Sequence, residues 1–153
     1  MKKRFALLLA LPVALLFFAC EKEKNNNDDN TTKTKTELIT TGSWSFDKAM
    51  SGGVDISGSV PACYKDNIVS FSTSLNGSVA NTIVCTPTDI TPATFTWSFQ
   101  SGETVLALSA PLFPGGTGNF TVEAITTTSL VVSQNVIIPP SSTPTNVVFY
   151  YKH

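Results

Sequence analysis

The sequence predicts an all-β domain, a small eight-stranded antiparallel up-and-down barrel with a β-sandwich as the alternative, and three observations lead there. From residue 37 onward apolar and polar residues alternate with a period of two, and Thr, Val, Phe and Ile dominate the alternating runs. No stretch in that region keeps a 3.6-residue period long enough for a crossover helix, so consecutive strands connect as antiparallel neighbours. The runs are short and separated by Gly, Pro, Asn and Ser clusters. Closing the sheet on itself removes the unpaired edges that a chain this rich in Thr and Val would otherwise expose.

Eight strands follow in order. "GSWSFDK" (42–48) alternates Trp44 and Phe46 with polar neighbours. "NIVSFSTSL" (67–75) and "SVANTIVC" (78–85) flank Asn76-Gly77, the strongest short hairpin signal. A two-residue turn there pairs Val69 with Val84 and Phe71 with Thr82, leaving Ile68, Ile83 and Cys85 on the other face; a bulged turn shifts the register by one and exchanges the faces. "TFTWSFQ" (94–100) sets Phe95, Trp97 and Phe99 against Thr96, Ser98 and Gln100, and "ETVLALS" (103–109) follows a Ser101-Gly102 turn. "NFTVEAI" (119–125) aims Phe120, Val122 and Ala124 one way, Thr121 and Glu123 the other. "SLVVSQNVII" (129–138) and "TNVVFYYK" (145–152) close the series, separated by "PPSSTP", whose prolines do not fit a central strand.

The N-terminus has a different grammar. Lys2, Lys3 and Arg4 precede fifteen uncharged residues, 5–19, too few to span a bilayer, which takes about 20 helical residues. A basic start, an apolar middle and a small residue before Cys20 make a secretory signal peptide, residues 1–19. "FFAC" (17–20) resembles the lipobox of bacterial lipoproteins. That resemblance implies that Cys20 is lipidated and becomes the first residue of the mature chain, and the acyl chains it carries in that family are enough for stable anchoring. "EKEKNNNDDNTTKTKT" (21–36) has nothing to build a core from and reads as a disordered tether. Sixteen such residues reach about 20–25 Å on average and roughly 55 Å when taut.

Residues 37–153 form the one remaining domain, long enough to bury a core of its own. Three lysines against seven acids leave it at −4, and the only arginine of the chain is Arg4. Without a Lys/Arg cluster to displace counterions from phosphates, nucleic acid is excluded as a partner. Cys63 and Cys85 read as a disulfide in an oxidising compartment, worth about 3 kcal/mol for a loop of this length. A zinc site is the rival, but two thiols fall short of four ligands and the only histidine is the terminal His153. No metal and no cofactor is expected. That histidine, at a frayed end, is also a poor base for a nucleophile, and Asp47, Asp55, Asp66 and Asp89 are spaced as turn and solubility residues, so no enzyme is expected either.

Several stretches together resemble the lipocalin-like lipoprotein domains of Gram-negative bacteria. These are "LITTGSWSF" with its Gly42-x-Trp44 opening, "ACYKDNIVSFSTSLNGS" with the later Cys85, the aromatic "TFTWSF" and the closing "VVFYYK". The resemblance covers most of residues 38–152 and implies an eight-stranded lipocalin-like barrel with one open mouth, held at the outer membrane on its periplasmic or surface side. Where larger lipocalins stack an Arg on the opening Trp, this chain offers Lys152.

The expected function is therefore binding. An eight-stranded barrel encloses enough space for packed side chains or one small ligand. Phe95, Trp97, Phe99 and Phe120 are the candidate lining, and the Gly-rich residues 50–62 are a candidate lid. With no interior arginine to neutralise a carboxylate, the ligand would be small, neutral and hydrophobic. The alternative is a structural or protein-interaction module, monomeric, with a filled barrel and no ligand.

Overall fold

The computed structural model describes residues 33–85, 91–138 and 140–153; the expected signal peptide, Cys20, Asp89 and the expected tether up to residue 32 lie outside them. Strands β1 (Ser43–Ser51), β2 (Val54–Asp55), β3 (Ile68–Phe71), β4 (Asn76–Ala80), β5 (Thr94–Gln100), β6 (Val105–Leu108), β7 (Asn119–Ile125), β8 (Ser129–Val136) and β9 (Thr145–Lys152) form one antiparallel sheet. β1 pairs with β9, from Ser45↔Lys152 to Met50↔Val148, and closes eight of the strands into a barrel. β2 is an extra ribbon folded back on the end of β1 through Gly52-Gly53, both at positive φ, as a two-residue hairpin turn of this hand requires.

The predicted alternation holds along most of the wall. Trp44, Val69, Phe71, Phe95, Trp97, Leu106, Phe120, Leu130, Val132, Phe149 and Tyr151 point inward and are buried. β7 carries a bulge between Val122 and Ala124. It reverses the expected facing of Ala124, which is exposed, and turns Ile125 against the core instead.

The first hairpin departs from both expected registers. Val69 pairs with Val79 and Phe71 with Gly77, so Asn76-Gly77 opens β4 and the chain turns earlier, at residues 72–75. Ser72 closes that turn, its backbone N–H and its hydroxyl both donating to the Asn76 carbonyl at 2.8 Å, and Leu75 takes the left-handed conformation at φ 62°. The reason lies across the sheet. Gly77 faces Phe95, and a Cβ at Gly77 would run into the Phe95 ring. The glycine is spent on admitting an aromatic side chain, not on a turn. β4 then ends at Ala80, so Ile83 and Val84 leave the sheet and are exposed.

Two short helices were not legible as helices. α1 (Lys35–Ile39) is capped by Thr34 and Glu37 in a reciprocal capping box, and so takes in residues expected to belong to the tether. The expected lid, residues 50–62, contains the end of β1, β2 and a 3₁₀ turn at Ser57–Ser59, and α2 (Ala62–Lys65) begins at its last residue. Ile39 and Trp44 are fully buried, and the Trp44 indole donates to the Ile39 carbonyl at 2.9 Å. His153, expected to fray, stacks on Trp44 with ring centroids 3.9 Å apart and holds the Ser43 carbonyl at 2.9 Å. Lys152 is not the stacking cation; it pairs with Asp47 at 2.7 Å.

Two substitutions test this register. Gly77→Ala forces a methyl into the Phe95 ring and should cost about 1–3 kcal/mol in urea unfolding. Leu75→Gly relieves a left-handed residue and should be neutral or stabilising by about 1 kcal/mol. A turn at Asn76-Gly77 would instead leave Leu75 in a strand, where Leu75→Gly costs stability.

Candidate functional site

The barrel interior is the place a ligand would occupy, and its own side chains fill it. What remains is a cavity of about 20 Å³ lined by ten residues, Trp44, Phe71, Phe120 and Tyr151 among them. That is close to the space of a single water, and the lining is apolar. Of the four sequence-predicted lining residues, Phe120 alone borders this cavity. Phe95 and Trp97 are buried, and Phe99 is half-buried. They form an aromatic cluster in which Phe71 meets Phe95 edge-on at 5.6 Å and Trp97 at 5.4 Å, and Trp97 meets Phe99 at 5.7 Å. The Trp97 indole N–H is satisfied by the Ser72 carbonyl at 3.2 Å. Edge-to-face contacts of this kind add to the gain from burial.

The end of the barrel beneath the expected lid is also closed. Val60 from the lid and Tyr64 from α2, with Leu112 and Phe113 from the β6–β7 connection, are all buried there. Phe113 stacks parallel on Phe149 at 4.3 Å and meets Tyr64 at 5.6 Å. The loop that presents Phe113 is held from behind. The Gln134 side-chain oxygen accepts from the Thr117 N–H at 3.0 Å, and the Ile137 N–H donates to the Pro114 carbonyl at 2.8 Å. "PLFPGG" has neither alternation nor helical period, which is why no role was assigned to it from sequence.

One polar group faces the residual cavity. Tyr151 lines it, and its hydroxyl makes no hydrogen bond among the described residues. Burial pushes this phenol far above its ordinary pKa, so it stays a neutral donor.

The disulfide expected from sequence is present: Cys63 in α2 bonds Cys85, their Cα atoms 5.3 Å apart. A second clamp lies beside it. One Asp66 carboxylate oxygen accepts from the Thr82 N–H at 2.7 Å, the Thr82 hydroxyl at 2.8 Å and the Ile83 N–H at 2.7 Å. Burial raises the Asp66 pKa, but the Thr82 and Ile83 hydrogen bonds outweigh it and hold the carboxyl below its ordinary value. Among the described residues no three His, Cys, Asp or Glu gather as a metal-binding group.

No protein-family model matches the chain, and no curated protein matches it.

The Asp66 clamp has a pH signature. A carboxylate with a depressed folded pKa contributes fully above its unfolded value, about 3.9, and loses that contribution as pH falls through the folded value. Asp66→Asn should therefore lower the urea midpoint at pH 7, with the gap to wild type narrowing as pH falls below about 4. Glu37 and Asp55, also depressed, are present in both proteins and cancel. A gap that does not change with pH would contradict this role. Asp66→Asn and Cys63→Ser hold the same segment, so their costs should fall short of or exceed a simple sum by at least about 0.5 kcal/mol.

Proposed function

We propose that this protein is a lipid-anchored envelope module, tethered through Cys20 at the outer membrane, whose packed barrel is a scaffold for interactions on its outer surface. One observation carries the choice of a scaffold over a carrier: the interior retains about 20 Å³, whereas pockets for small molecules span about 300–1,000 Å³. The lipobox-like "FFAC" and the core-free tether support the anchoring half. The spread of the carboxylates and the absence of any histidine but His153 support a non-enzymatic role.

A second reading, binding of a small neutral hydrophobic molecule in the interior, is favoured by the unengaged Tyr151 hydroxyl in an apolar cavity. It requires Leu112 and Phe113 to leave the barrel mouth before anything the size of a ligand enters. Phe120 would then contact the ligand directly, with Phe95, Trp97 and Phe99 behind it.

The neutral dye N-phenyl-1-naphthylamine separates the two. The scaffold reading expects no blue-shifted emission from dye mixed with the folded protein and no quenching of Trp97. Saturable dye uptake that quenches Trp97 would overturn it. For the anchor, Cys20→Ser should abolish incorporation of labelled palmitate, and a wild-type chain that takes up no label would refute lipidation.

A further inference from the structure

We infer that the end of the barrel opposite α1 rests on the lipid bilayer, with Val54, Ile83 and Val84 as the side chains that enter its surface. This rests on the proposed anchoring through Cys20 and adds which end of the barrel meets the lipid.

The apolar side chains left on the surface are unevenly placed. The exposed large hydrophobics of the described residues are Val54, Ile68, Leu75, Ile83 and Val84. Leu75 lies in the β3–β4 turn, at the same end as α1, whose Lys35 ammonium donates to the Glu103 carbonyl in the β5–β6 turn at 2.7 Å. The other four gather at the opposite end. Val54 follows the Gly52-Gly53 tip of the β1–β2 hairpin, Ile83 and Val84 follow β4, and Ile68 opens β3 across from Ala80, the last residue of β4. α2 ties these points together. Lys65 at its end donates to the Ser57 carbonyl just beyond β2 at 3.3 Å, and Asp66 holds Thr82 and Ile83.

Charge at this end is kept off the surface. The connections at residues 109–118 and 137–144 carry no charged side chain. Residues 50–66 hold three, Asp55, Lys65 and Asp66, and each is turned onto backbone. Asp55 accepts from the Ser57 N–H at 2.8 Å, and Lys65 and Asp66 make the bonds just given. The α1 end is different: Lys33, Lys35 and Glu37 lie in α1 and its lead-in, and Glu103 in the β5–β6 turn.

A bilayer fits the apolar end better than a protein does. Protein partners are usually anchored by Trp, Tyr or Arg, and the exposed set here is entirely aliphatic. A few such side chains, with no basic cluster to attract anionic headgroups, would hold a free protein to lipid only weakly. A chain already fixed to the bilayer needs no more, because its second contact forms at the effective concentration that the tether sets. The geometry permits it. Residues 20–33 extend to about 45 Å when taut, and the wall, taken from the nine residues of β1, is about 30 Å long. The chain can therefore enter the barrel at α1 while the other end faces the lipid.

Fluorescence of the full mature chain, reconstituted through its own anchor into phosphatidylcholine vesicles with and without brominated acyl chains, tests this. Val54→Trp and Val84→Trp put a reporter at the apolar end, and Leu75→Trp puts one at the α1 end. All three share the preference of indole for membrane interfaces. After the wild-type signal is subtracted, the added emission of Val54→Trp and Val84→Trp should shift to the blue and be mostly lost to brominated chains. That of Leu75→Trp should do neither. A blue shift without bromine quenching would mean burial against protein, a second copy included, and would overturn the inference, as would quenching of Leu75→Trp that equals or exceeds the others. Flotation keeps the two readings apart. A wild-type chain that does not float with the vesicles removes the Cys20 anchor itself, whereas one that floats with unquenched reporters overturns only the orientation inferred here.

Discussion

The ladder between β1 and β9 is the constraint on which the rest of the molecule depends. It joins the first long strand to the last, so every local hairpin is committed to one curvature only when the two ends of the domain meet. Open, the same strands would present the long unpaired edges of β1 and β9, a template for pairing with other chains. The closure is reinforced from both sides. Inside, Ala49 and Phe149 face each other across the ladder and both are buried. Outside, Asp47 meets Lys152, and Lys48 lies over the Tyr150 ring at 4.6 Å. The bulge between Phe46 and Lys48 lets the strand curve at this seam. The last residue finishes the join, since His153 lies on Trp44 against Gly42, where a Cβ would press on the imidazole.

Closure at eight strands also decides the interior. A barrel of this size holds side chains or one small ligand, but not both. Here the side chains are large. Trp44, Phe71, Phe95, Trp97 and Phe120 enter from the wall, and Phe113 enters from a connection and stacks on Phe149. The clamps on the connections serve the same end. The Cys63–Cys85 bridge and the Asp66 carboxylate hold the segment after β4 to the end of α2, and Gln134 holds the loop behind Phe113. The connections are thereby part of the core, which leaves the outside of the wall as the surface with uncommitted chemistry.

Most of the wall was legible in the sequence because alternation is a local property. β5 and β7 begin and end where the pattern of "TFTWSFQ" and "NFTVEAI" does. The disulfide was legible because only two cysteines remain once Cys20 is assigned elsewhere. What escaped was set by contacts distant in sequence. Gly77 looks like a turn glycine until Phe95 is placed opposite it. His153 looks like a loose end until Trp44 lies beneath it, and Leu112-Phe113 looks like loop until the barrel mouth needs filling. The capping box at Thr34 and Glu37 was the one missed feature with a local signature; the polar run that precedes it disguised it as tether.

Native mass spectrometry of the mature protein, released from membranes into mild detergent, tests the central claim most directly. A barrel filled by its own side chains predicts a single species at the mass of the covalent polypeptide alone. A stoichiometric extra mass that survives detergent exchange and leaves only on unfolding would contradict it.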